Sequence, residues 1–220
     1  MAISYANSAD GYVTKANQST WTAARDATSG SYKSSTATNT TFAIRSDRAT
    51  GRGGGYAYTV SRSFFYFNTS IISSTVDSAT LNIRGVGSSA ADVIAVKSNS
   101  DIDTLDLVDF DAIVGWNSSG VDNESNVTKY SNEVTWSTSG YNSITLTSDA
   151  LSDMEDDDTL YVCIMSYDYD LKNVAPTSSG IWSGMYYTDN TGTSLDPYID
   201  YTLATVATTT SNAIFFGTNF

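Results

Sequence analysis

"SRSFFYFNTSIISSTVDSATLNIRG", residues 61–85, is the stretch whose reading decides the fold. It sets Phe64, Phe65, Tyr66 and Phe67 side by side. It then settles into an alternation, with Ala79, Leu81 and Ile83 on one face and Thr80, Asn82 and Arg84 on the other. A period of two marks a half-buried strand, because successive side chains leave a strand on opposite faces. The four aromatics describe another kind of strand. Phe64 and Tyr66 oppose Phe65 and Phe67, so both faces are apolar and the segment is expected as an interior ribbon between two layers of sheet.

The same periods recur along the chain. "DVIAVK" (92–97), "YNSITLT" (141–147) and "PYIDYTL" (197–203) read as half-buried strands bounded by Gly, Ser, Asn or Asp. "TLYVCIMSYDY" (159–169) is apolar on both faces and reads as a second central strand. Helix signals are scarce. Leu107, Phe110 and Val114 are spaced for a short helix ending near Gly115, and "TSDALSDMEDDD" offers Ser148 as an N-cap with Asp149 in the first turn. The Gly-rich segment at 48–58 lacks the spacing and the following Lys-Ser/Thr of a phosphate-binding loop and reads as a turn.

A chain of 220 residues suits one large all-β domain, and 40 % hydrophobic with 12 % aromatic content suffices for a core. Eleven Lys and Arg stand against 24 Asp and Glu, a net charge of −13 that repels nucleic acid and anionic lipid. No apolar run approaches the roughly 20 residues of a membrane-spanning helix, so no membrane insertion is expected. The opening residues lack a basic segment followed by an apolar one, which implies synthesis in a cytoplasm. The linkers, rich in Ser, Thr, Asn and Gly, look outward-facing. The lone Cys163 excludes an internal disulfide and reads as a buried thiol.

With no histidine in the chain, Ser-His-Asp and Cys-His arrangements and the usual zinc sets are excluded. Asp168, Asp170, Asp189 and Asp196 lie in or beside Tyr-rich segments where a carboxylate pair could hydrolyse a glycoside, but 24 acidic residues produce such pairings by chance. The run Asp153, Glu155, Asp156, Asp157 and Asp158 lacks the Gly-punctuated pattern of a calcium loop and reads as a solvated turn, so neither a metal nor a cofactor is expected. Trp116, Trp136, Trp182, Tyr186 and Tyr187 are candidates for a platform on which sugar rings stack, with Asp189 and Asn190 accepting hydroxyl hydrogen bonds; the competing reading makes them plugs of the core. At the far end, Ile214, Phe215, Phe216 and Phe220 follow a Thr-rich spacer. They read either as an anchor into a neighbouring subunit or as a last strand folded onto the same domain.

The segment around the aromatic strand resembles the signature of the DNRLRE or disaggregatase-related β-sandwich family, through Arg62, Phe65, Phe67, Ser70, Ile71, Val76, Ser78, Ala79, Thr80 and Leu81. Asn68 stands where that pattern has Asp, and no Pro follows Ile72. "DPYIDYTL" resembles the family's closing strand. The resemblance implies a jelly roll similar to carbohydrate-binding modules, of the kind found on cell-surface proteins and in bacteriophage tail, fibre and capsid-associated proteins.

The expectation is an antiparallel jelly-roll β-sandwich over residues 1–205, with one or two short helical turns, followed by a Thr-rich linker and aromatic tail at 206–220. The leading function is a structural virion protein, a decoration, fibre or tail-associated subunit without catalysis, partnered by copies of itself or other virion subunits. A carbohydrate-binding adhesion module is the alternative, and a glycan hydrolase or lyase the second.

Overall fold

The computed structural model describes residues 2–51, 54–99, 104–188 and 192–205. Its strands, in chain order, are β1 (Ala2–Tyr5), β2 (Gly11–Gln18), β3 (Tyr32–Ser34), β4 (Asn39–Thr50), β5 (Tyr56–Asn68), β6 (Val76–Ser89), β7 (Val93–Lys97), β8 (Tyr141–Thr145), β9 (Thr159–Ser166), β10 (Trp182–Tyr186) and β11 (Tyr198–Leu203). Two α-helices, α1 (Trp21–Arg25) and α2 (Ser148–Asp156), interrupt them, along with a 3-10 turn at Leu107–Asp111 and a π-helical turn at Tyr167–Leu171. All pairings between these strands are antiparallel. The fold is all-β.

Two long strands organise the rest. β5 pairs with β4 through Tyr56–Ser61 and with β9 through Ser63–Asn68, while β2 lines its other edge. β6 likewise pairs with β11 through Val76–Asn82, with β8 through Thr80–Arg84, and with β10 beyond Gly85. β10 also pairs with β4, so the sheet runs continuously from β6 through β10 and β4 to β5. The register shifts on β10 around Ser183 and Gly184, where it pairs with β4 and β6, go with close approach of backbones. A Cβ on Gly184 would lie 2.1 Å from the Val86 carbonyl oxygen, which only glycine avoids.

This path brings the aromatic strand and the alternating strand that follows it into contact. Phe65 and Phe67 of β5, with Leu160, Val162 and Ile164 of β9, share one apolar cluster with Leu81 and Ile83 of β6, Ile144 of β8 and Ile199 and Tyr201 of β11. Phe64 and Tyr66 leave the opposite face of β5 into a second cluster with Val13, Val60, Ile94, Val96, Cys163 and Met165. All four rings of the run are fully buried, each side chain contributing about 1.5–3 kcal/mol of burial.

The ribbon therefore has protein on both faces, but only one covering layer is sheet. The other consists of Trp21 and Ala24 from α1, Phe110 from the 3-10 turn, Leu105, Ile113 and Val127 from the β7–β8 connection, and Leu171 from the π-helical turn. That connection is dense in Asn, Asp, Ser and Gly, which favour turns over extended chain, so among its described residues it delivers apolar anchors without forming strands.

Local expectations are adjusted in the same way. The helix expected to end near Gly115 is a single 3-10 turn that stops at Asp111, and Phe110 and Ile113 are buried where Leu107 is not. The N-cap of α2 is Thr147, one residue before Ser148. β9 ends at Ser166 rather than running to 169, because the chain coils there to turn Asp170 and Leu171 inward. In the Gly-rich segment, residues 48–50 belong to β4 and 56–58 to β5, and Gly54 between them stands at φ +83°. The expected tail at 206–220 lies outside the described residues.

Candidate functional site

The most concentrated polar chemistry is sealed inside the second cluster. Arg62 of β5 points to the same face as Phe64 and meets Asp170 with a two-pronged contact, Nε to Oδ2 and Nη2 to Oδ1, both 2.8 Å. Its remaining donors reach the carbonyls of Phe110 (2.6 Å) and Arg25 (2.9 Å). Arg25, the last residue of α1, donates to the Asp170 carbonyl (2.6 Å), the Asp26 carboxylate (2.6 Å) and the Leu171 carbonyl (3.3 Å). Trp116 lies against both guanidinium groups, 4.1 Å from Arg62 and 4.5 Å from Arg25. Arg25, Arg62 and Asp170 are all fully buried.

Burial opposes the charge on Arg62, but the Asp170 carboxylate outweighs it and holds the guanidinium above its ordinary value. At Arg25 burial prevails over Asp170 and Asp26, and the value is lowered. Burial also pushes the Cys163 thiol up, Arg62 only partly countering it, so this thiol is inert. The geometry fastens α1, the 3-10 turn and the π-helical turn to β5 through charge-assisted hydrogen bonds. Asp170, one of the carboxylates considered for a hydrolytic pair, is fully buried with both oxygens held by Arg62.

The residues expected to form a sugar platform are dispersed. Trp116 is committed to the arginines. Trp136 is buried in the first cluster with its indole N–H donating to the Gly184 carbonyl (2.9 Å). Tyr187 is buried as well, stacked on Phe65 at 5.6 Å and 17°, its hydroxyl 2.7 Å from that of Ser63. Neither can stack on a ligand arriving from solvent. Trp182 and Tyr186 are half-buried on β10, where Trp182 meets Phe42 edge-on at 5.1 Å with Arg45 beside both rings. Asp189 and Asn190, like Ile214, Phe215, Phe216 and Phe220, lie outside the described residues.

Carboxylates gather where linear spacing gave no signal. Oxygens of Asp92, Glu133 and Asp168, from three separate segments, lie within 4.8 Å of one another. Such oxygens could hold a hard divalent cation, although Lys172 already sits 3.4 Å from Asp168. Burial, then the Asp168 charge, raises the carboxyl of Glu133 above its ordinary value of 4.5. A carboxyl raised in the folded state makes folding less favourable once it ionises, and the penalty vanishes below its unfolded value. Glu133 is exposed, so solvent screens most of this effect, and Glu133→Gln is expected to raise Tm only slightly at pH 7 and to leave it unchanged at pH 3, as read by thermal melts at the two pH values. In the acidic run at 153–158, Asp153 accepts from the Tyr130 hydroxyl and pairs with Lys97 (2.8 Å) and Glu155 accepts from the Val76 amide (2.8 Å), while Asp156, Asp157 and Asp158 are exposed.

A more open arrangement occupies the outer face of the sheet formed by β1, β11, β6 and β8. Cross-strand register aligns Tyr5, Tyr198, Asn82 and Ser143 in one row and Ile3, Asp200, Thr80 and Thr145 in the next. Tyr198 lies 5.9 Å from Tyr5 and 5.3 Å from Tyr141, so three rings from three strands form a strip. The Tyr141 hydroxyl reaches the carbonyls of Ser194 (3.0 Å) and Asp196 (3.2 Å) and fixes one end of it. Beside the rings, Ser143 donates to Asn82 (2.9 Å), which donates to Asp200 (2.8 Å). The alternation of β6, β8 and β11 hinted at this face; Tyr5 falls in a strand too short to announce itself.

Scanned against protein-family models and curated protein sequences, the chain matches none.

Proposed function

We propose that this chain is a non-catalytic structural protein of a virus particle, a jelly-roll decoration, fibre or tail-associated subunit exposed on the released virion. The observation that carries this reading is the sealed cluster of Arg25, Arg62 and Asp170. The residues with the strongest chemistry are spent on holding the fold, leaving a Ser/Thr-rich, acidic exterior suited to contact and solubility. Self-assembly would supply the rigidity that disulfides give other exposed proteins.

Light scattering on the eluting protein tests the assembly step. The full chain is expected to run as an oligomer and a chain ending at Ala204, which lacks the aromatic residues at 214–220, as a monomer. Identical monomers in both preparations would refute the anchoring role. Antibodies to the purified protein are expected to label assembled particles.

A further inference from the structure

We propose that the groove between β8 and the segment at residues 131–135 binds a basic peptide in extended form, which adds a strand to the free edge of β8. The reading goes beyond the particle role and does not depend on it.

The two segments that flank this groove both turn unpaired backbone groups into it. Leu146 N–H donates to the Ala79 carbonyl and Gly85 N–H to the Gly140 carbonyl, each at 3.0 Å, while Thr145 stands opposite Thr80 and Tyr141 opposite Arg84. Those pairs are therefore the non-hydrogen-bonded ones of the ladder, and the N–H and C=O of Ser143 and Thr145 point away from β6. Across the groove, Val134 exchanges both of its backbone bonds with Val93 of β7, at 2.9 and 3.0 Å. Glu133 and Thr135 on either side of it then present theirs away from β7. The segments are fastened to each other only beyond the groove. The Thr147 N–H meets the Tyr130 carbonyl (2.9 Å), and the Asn142 side chain bonds the Ser137 backbone at 2.8 and 2.9 Å. Between these fastenings no hydrogen bond joins them among the described residues, and a groove of about 370 Å³ stands open, lined in part by Glu133, Thr135, Ser143 and Thr145.

Sheet edges are ordinarily blunted by Lys, Pro or a bulge. β8 has none of these. An extended peptide supplies the alternating N–H and C=O groups that would pair with such an edge, and the small side chains of Ser143, Thr145 and Thr135 leave space for its own. Charge selects the peptide. Glu133 lines the groove, and its carboxylate lies within 4.8 Å of those of Asp92 and Asp168, with Lys172 placed 3.4 Å from Asp168. Three carboxylates against one ammonium favour a strand that brings Lys or Arg, and the net charge of −13 draws it in from a distance. An acidic strand is repelled. The chain's own residues 206–220 include no Lys or Arg to meet these carboxylates.

The test is fluorescence anisotropy of the full chain with a labelled, capped peptide of alternating Thr and Val carrying a Lys near each end. Saturable binding is expected. Replacing both Lys by Glu should weaken it about tenfold, and so should N-methylation of alternate peptide amides, which keeps the charge and removes donors. Glu133→Gln should weaken it about threefold, the loss of one exposed ion pair. Thr145→Pro removes an N–H that the β6–β8 ladder does not use and should weaken binding about tenfold. Ser143→Pro carries the same test if Thr145→Pro fails to fold, and the N-methylated peptide needs no variant at all. Absence of saturable binding, equal affinity for the Glu-bearing or N-methylated peptide, or affinity unmoved by the Pro variants would overturn the proposal. So would binding seen only with a chain ending at Ala204, which would make the chain's own last residues the occupant. None of these results reads oligomer size, so the particle reading stands or falls separately.

Discussion

Asp170→Ala is expected to destabilise the fold by about 3–5 kcal/mol, the cost of leaving a buried charge without its partner. Two guanidinium groups face this one residue: Arg62 grips the carboxylate and Arg25 lies 3.8 Å from it while bonding its carbonyl. With the carboxylate removed, both positive charges remain in a fully buried site. Against a typical domain stability of about 5–15 kcal/mol, that is about a fifth of the total or more. Urea denaturation reads the loss directly. The loss should shrink when the whole cluster is replaced. Exchanging Arg25, Asp26, Arg62 and Asp170 together for uncharged residues of similar size is expected to cost much less than the single change, since no orphaned charge is left. Equal losses in the single and quadruple variants would mean that packing, not charge pairing, fastens the turns to β5.

The second large effect concerns the two faces of β5. Phe65→Ala is expected to cost about 3–5 kcal/mol through lost burial and the cavity left behind, with loss of the Tyr187 stack adding to it. Phe64→Ala should cost a similar amount, although its ring points the other way, because each face has its own apolar cluster. A strand with one solvated face would show one costly and one cheap substitution at adjacent positions. Ile71→Ala, at a side chain 69 % exposed, serves as the near-neutral control. Denaturation midpoints of the three variants settle the comparison.

These contrasts show what was readable in the residues. The run Phe64–Phe67 announced a strand buried on both sides because its aromatics occupy odd and even positions alike, and Leu81 and Ile83 announced a one-sided partner by the same logic. What covers the second face was not readable. Trp21, Leu105, Phe110 and Leu171 come from separate helical turns and loops, and no local period links them. The fate of Trp116, Trp136 and Tyr187 was hidden for a related reason: a large ring has the same identity on a platform as in a core, and only neighbours such as Arg62 or Phe65 distinguish the two. The tyrosine strip depends on register. Tyr5, Tyr141 and Tyr198 are far apart in sequence and meet only because β1, β11, β6 and β8 pair with particular offsets.

Hydrogen–deuterium exchange measured along the chain tests most directly whether the aromatic ribbon is the centre of this protein. Amides of residues 63–67 and 160–165, paired with each other and covered on both faces, are expected to exchange slowest, at rates set by global unfolding, and those of β1 and β3 fastest among the strands. Exchange at residues 63–67 as rapid as in β1 and β3 would contradict the account.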